Sequence, residues 1–233
     1  VSAAIGLCVM RKKHPYAEDV KLHLISYDKF PIVMETLFSQ RESSSVLIAD
    51  LGMNDKVWKV LKKYQNIPID LHQRACSWKY FDHHSIKLEK LEILEKIFTE
   101  YHNATVSTIF SPGECASDML YSYYKHILPE QFTQLVNLAH IMDFKDQADQ
   151  NSQLFEEASM LNTYVSFHQH DEQKLQNLVR LMTRKAKWKA FFNDLPNKCV
   201  RIQEKMEKER KSMINRSHII EKKGYIIAGS YSD

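Results

Sequence analysis

In this chain of 233 residues, acids and imidazoles stand where three structured runs end. Ser45-Val46-Leu47-Ile48-Ala49 runs into Asp50, Lys79-Tyr80-Phe81 runs into Asp82-His83-His84, and the helical stretch His140-Ile141-Met142 ends in Asp143. Acids at the ends of buried strands rarely serve packing, because an unpaired buried carboxylate is expensive. Successive side chains on a strand point to opposite faces, so His83 and His84 can share one crevice only where the strand stops and the chain turns. Asp82 is then placed to accept a hydrogen bond from a ring N–H and to fix the tautomer of a metal-bound imidazole. Carboxylate plus imidazole, without cysteine, suits a hard or borderline divalent ion, Mn²⁺ or Mg²⁺. A carboxylate bridging two such ions would permit hydrolysis of a phosphoester, because the ions lower the pKa of a bound water and stabilise the attacked phosphoryl group.

The elements that must position these residues follow from periodicity and punctuation. Helices are expected over residues 1–13, 31–41, 56–64 (with Asp55 as N-cap), 86–101 and 111 to about 126. Strands are expected over 20–27, 45–50, 76–81 and 104–110. The alternation of helix and strand predicts an α/β fold, a parallel sheet with helices on both faces. Ligands bind such sheets in a crevice outside the strands' C-terminal ends, where Asp50 and Asp82-His83-His84 fall. Beyond Pro129 the β signal stops. Helices are expected at 129–142, 152–167, 171–183 and 184–220, the last broken or kinked at Pro196, and its part from Arg201 to Arg216 reads as a charged, solvated connector.

Composition narrows the class. The chain is 44% hydrophobic and 26% charged, which fits a folded protein with a proper core. A net charge of +3 is compatible with a phosphate-bearing substrate, yet no Lys/Arg block forms a nucleic-acid arm. Four cysteines, Cys8, Cys76, Cys115 and Cys199, lack CxxC spacing and read as buried or free thiols of a reducing cytoplasm. No apolar run approaches a membrane span and no signal peptide is visible, so the expected location is cytoplasmic, with no membrane partner.

The set Leu47-Ile48-Ala49-Asp50, Phe81-Asp82-His83-His84 and His140-Ile141-Met142-Asp143, in this order, resembles the DHH phosphoesterases. These include RecJ-like exonucleases, nanoRNases, cyclic-dinucleotide phosphodiesterases and, more distantly, manganese pyrophosphatases. The resemblance covers nearly the whole chain and implies a two-metal phosphodiesterase using Mn²⁺, or Mg²⁺ in its place. Its substrate would be a short oligonucleotide, single-stranded nucleic acid or a cyclic dinucleotide. It implies Asp50 as the carboxylate bridging both ions, His83 and Asp143 as further ligands of the second ion, and Asp82 as the group orienting His83. His84 would contact the substrate phosphate and steady its developing charge. The family's first motif, His-x-Asp-x-Asp, is absent, and Val1-Ser2-Ala3-Ala4-Ile5 looks like the segment that follows it. The chain is therefore expected to be a segment of a longer protein. Residues 1–182 would be the DHH domain without its first strand and motif, 183–222 a connector helix, and 223–233 the start of a C-terminal substrate-binding domain. Such a segment alone is expected to bind metal weakly and to be nearly inactive.

Other residues have quieter readings. His140 reads as a satisfied structural histidine, His168 and His170 as surface groups, and Asp146 and Asp149 as solvated acids. Trp78, Trp188, Tyr121, Tyr123 and Tyr124 could stack bases, but core packing explains aromatics at such positions more simply. The alternative to an enzyme is a non-catalytic DHH-fold scaffold serving in binding or assembly.

Overall fold

The computed structural model describes residues 1–15, 20–39, 45–65, 77–84, 106–110, 113–146, 148–216, 218–222 and 225–229, with positions 90, 92, 93 and 96. Its frame is mixed α/β and mostly helical. Helices α1 (Ser2–Lys13) and α2 (Phe30–Ser39) precede strand β1 (Ser45–Ala49), helix α3 (Asp55–Gln65) leads to β2 (Ser77–Asp82), and β3 (Val106–Phe110) follows. The three strands form one parallel sheet in the order β1-β2-β3. Helices α4 (Ala116–Tyr124), α5 (Gln131–Asp143), α6 (Gln153–Phe167), α7 (Glu172–Met182), α8 (Lys185–Asn193) and α9 (Leu195–Arg216) come next. An antiparallel pair, β4 (His218–Lys222) and β5 (Tyr225–Gly229), ends the described chain.

Period-two alternation assigns each strand residue to a face. Val46 and Ile48 pack with Phe30, Met34, Val57 and Leu61 of α2 and α3. Leu47 and Ala49 pack instead against the larger core, built from α1 and the helices after the sheet. Tyr80 and Phe81, neighbours on β2, divide between the two cores in the same way. The sheet is thus covered on both faces, as parallel sheets normally are. A Cβ added to Gly6 of α1 would stand 3.2 Å from Leu47 Cδ2, so glycine lets α1 lie close on β1. No helix among the described residues is long and apolar enough to cross a membrane.

Three expectations need correction. Residues 20–26 form no strand, and Tyr27–Lys29 make a turn. Their apolar members Val20, Leu22 and Leu24 pack on the larger core, and the Gln176 side chain, not a neighbouring strand, donates to the Leu22 carbonyl. The cap of α3 is Asn54 rather than Asp55: its Oδ1 accepts from the N–H groups of Lys56 and Val57, each at 3.0 Å. The stretch 184–220 is broken beside Pro196, as expected: two helices part at Asp194, and Pro196 lies in the first turn of α9, where its missing N–H costs nothing. The second helix stops at Arg216, and residues 218–222, expected to continue it, are strand β4. The expected helix 86–101 falls largely outside the described residues.

Candidate metal centre

Register brings the first acids together. Ala49 pairs with Phe81, and the Asp50 N–H donates to the Phe81 carbonyl at 3.0 Å, so β1 and β2 end at the same height. Asp50 and Asp82-His83-His84 consequently leave the sheet side by side. Asp50 has a φ of 61°, in the left-handed region. That conformation costs a residue other than glycine about 1–2 kcal/mol, although aspartate adopts it more readily than most. Backbone strain of this kind persists where surrounding structure over-determines it, and it clusters at functional sites.

The buried acid of the triplet serves a different neighbour from the one expected. Asp82, 1% exposed, receives the His84 ring at Nδ1···Oδ1 2.6 Å, while from His83 it accepts only the backbone N–H, at 3.0 Å. Its Oδ2 lies 2.8 Å from the Tyr80 hydroxyl, which also lies 2.6 Å from the Leu51 carbonyl. The far nitrogen of His84 is engaged too, at 2.8 Å from the Tyr27 hydroxyl. Burial pushes the phenol pKa values of Tyr27 and Tyr80 upward, so both hydroxyls keep their protons. With its Nδ1–H donated to Asp82, His84 accepts from Tyr27 at Nε2. Gly52 closes one side, since a Cβ there would stand 3.3 Å from His84 Cγ and 3.5 Å from Tyr27 Cε1. His83 stacks on the other side, with ring centroids 4.5 Å apart. His84 is held by both ring nitrogens and both neighbours.

His83 is not. Its Nδ1 is buried without a hydrogen-bond partner, and the nearest carboxylate oxygen is Asp50 Oδ1 at 3.5 Å. Ligand atoms of Asp50, Asp82, His83 and His84 all lie within 4.8 Å of one another. Asp82 and His84 consume each other's bonding capacity, which leaves Asp50 and His83 as the two groups of this set with donor atoms free for an ion. An imidazole nitrogen beside a carboxylate matches Mn²⁺ or Mg²⁺ chemistry, and an orphaned buried polar atom is what such an ion would satisfy. The fit is to one incomplete shell.

Asp143 stands outside the tight group, although the charges of Asp50 and His83 both act on it. Loss of hydration pushes its carboxyl pKa up and the charge of Asp50 adds to that, while His83 and a hydrogen bond from Cys115 pull it back. Cys115, fully buried, has its thiol pushed up to about 12 by desolvation. It heads α4 in a capping box with Asp118, whose Oδ2 accepts the Cys115 N–H at 3.0 Å. Asp118 Oδ2 also meets His140 Nδ1 at 2.6 Å, which agrees with His140 as a satisfied histidine.

Tyr27, Tyr80, Cys115 and Asp118 were not anticipated from sequence. Three of them left a signal. Tyr80 lies two residues before Asp82 and hence on the same strand face, and Cys115-Ala116-Ser117-Asp118 has capping-box spacing. Among the aromatics, Trp188 and Tyr124 are buried core, while Tyr123 is exposed. Compared with known proteins, the chain gives no match to a family model, to a curated protein or to a solved structure.

Proposed function

We propose that the protein is a divalent-metal-dependent phosphoesterase of the DHH kind, cleaving phosphodiester bonds in short oligonucleotides or single-stranded nucleic acid. One observation carries the reading: His83 Nδ1 is buried and unpartnered opposite the strained Asp50, at the C-terminal lip of a parallel sheet. Asp50 and His83 would hold the ion, with Asp143 closing its shell from α5. A bound ion would supply an activated water and charge stabilisation for the phosphoryl group. Asp82 holds the His84 ring in one tautomer through Nδ1. For His84 to reach a phosphate oxygen, Nε2 must exchange Tyr27 for that oxygen, so Tyr27 occupies the position the substrate would take.

Mn²⁺ titration followed by electron paramagnetic resonance tests the centre. The expected result is weak binding by the 233-residue chain, reduced at least tenfold in His83→Ala and Asp50→Asn. Mn²⁺ binding indifferent to both substitutions would overturn the assignment. Robust Mn²⁺-dependent release of mononucleotides by this chain alone would overturn the need for the first motif. Absence of binding and turnover even with a His-x-Asp-x-Asp segment joined ahead of Val1 would leave the scaffold reading.

A further inference from the structure

We propose that the cleft between α4 and α5 seats a ribonucleoside, the one esterified to the phosphate at the Asp50–His83 centre. This rests on the phosphoesterase reading and names the substrate class that reading leaves open. The cleft encloses about 320 Å³, within the range of small-molecule sites. Glu114, Asp118, Ser122, Asn137 and His140 line it over the buried Val136. Among the described residues, neither lysine nor arginine lines it. Two carboxylates without a cation repel a second phosphate, which argues against a polyphosphate chain lying there. They suit a neutral ligand that donates hydrogen bonds. Ribose hydroxyls do so, and acidic side chains take them in dinucleotide-binding folds. The Asn137 amide both donates and accepts, as pairing with a base edge requires. Asp118 fixes His140 through Nδ1, so Nε2 is the ring nitrogen left for a ligand.

The cleft and the metal centre share a wall. His140 and Asp143 are three residues apart on α5, a rise of about 4.5 Å, which is on the scale of one nucleotide. The Phe144 ring stands between the two sites, 4.8 Å from the His140 ring and 6.4 Å from the His83 ring. Cys115 lies below: its N–H donates to Asp118 Oδ2, and its thiol is among the groups that act on the Asp143 carboxyl. In the proposed pose, a phosphate beside Asp143 would direct its sugar along α5, past Phe144, into the cleft. A rival occupant is a metal ion held by Cys115, Asp118 and His140, whose ligand atoms lie within 4.8 Å of one another. Against it, Asp118 Oδ2 already serves both the Cys115 N–H and the His140 ring.

Titrating the chain with adenosine and with 2′-deoxyadenosine, in chelator and without metal, tests the cleft by calorimetry or ligand-observed NMR. Adenosine should bind and 2′-deoxyadenosine should bind about tenfold more weakly, the worth of one hydrogen bond in a half-open site. Glu114→Gln and Asn137→Leu, neither of which touches the core, should each weaken adenosine about tenfold while the circular dichroism spectrum and melting temperature stay unchanged. No adenosine binding, equal affinity for the two nucleosides, or variants without effect would overturn the proposal. So would a Co²⁺ thiolate absorption band that Cys115→Ser abolishes, since the cluster would then be a metal site. Mn²⁺ affinity is read separately, so its loss in wild type would sink the phosphoesterase reading while the nucleoside result stood.

Discussion

Asp82–His84 and Asp50–His83 are two acid–imidazole pairs on adjacent strand ends, yet they differ in nearly every physical respect. The Asp82 pair is buried on the acid side, closed at 2.6 Å, and extended by Tyr80 and Tyr27 into a chain of filled hydrogen bonds. The Asp50 pair stands 3.5 Å apart, with the acid 45% exposed on a left-handed backbone and the imidazole nitrogen unpartnered. A satisfied network rigidifies a fold. An unsatisfied, strained pair beside it is held in place by that rigidity and has bonding capacity left for a ligand. Two adjacent histidines of the same motif thus divide into one that builds the crevice and one that faces it.

Substituting each pair sharpens the contrast. Asp82→Ala leaves the His84 ring and the His83 N–H without their acceptor, and should cost about 3 kcal/mol or more in urea unfolding. His83→Ala removes a group that bonds nothing, and should cost within about 1 kcal/mol while abolishing Mn²⁺ binding. Equal destabilisation by the two would erase the distinction. Gly52→Ala presses a methyl onto His84 and Tyr27 and should cost about 1 kcal/mol, read as a lower urea midpoint. Tyr27→Phe should cost about 1 kcal/mol or less. Its diagnostic is the imidazole ¹⁵N spectrum: His84 Nε2 should shift on losing its donor, and His83 should not.

The chain's alternation of helix and strand carried the sheet, its parallel sense and its two covered faces, because apolar period and turn residues report burial directly. Asp50 and Asp82-His83-His84 could be placed at one lip because β1 and β2 each end on them, and parallel neighbours end together. Which histidine Asp82 grips was not legible. Both rings are within reach of that acid, and the choice depends on Tyr27, 57 residues from His84 and delivered by a turn where a strand was expected. The failed strand has the same root: alternation at Val20, Leu22 and Leu24 marks a buried face but cannot say whether a neighbouring strand or the Gln176 side chain satisfies the backbone. The capping box of Asp118 was legible from its spacing, but its contact with His140, 22 residues away, was not.

The strained side allows substitutions that stabilise while they disable. Asp50→Gly relieves the left-handed backbone and should gain up to about 1 kcal/mol, although glycine's greater freedom in the unfolded chain offsets part of this. Mn²⁺ binding should be lost with it. A loss of stability instead would mean that Asp50 makes a structural contact on which the fold depends.

Asp143 gives the smallest and most conditional effect. Its carboxyl holds a proton more tightly in the fold than in the unfolded chain, because crowding strips its hydration and Asp50 adds repulsion. The folded state therefore binds more protons between the ordinary value of 3.8 and the raised one, and stability declines as pH rises through that interval. Below 3.8 both states are protonated and the penalty is absent; above the raised value it is present in full. In metal-free protein, Asp143→Asn should accordingly melt above wild type at neutral pH and at the same temperature in acid. Adding Mn²⁺ should reverse the order at neutral pH, because the ion supplies the positive charge that Asp143 lacks and the amide cannot use. A variant that melts below wild type in chelator would mean that the Cys115 bond to Asp143 outweighs the repulsion, moving this acid from the open side of the comparison to the satisfied one.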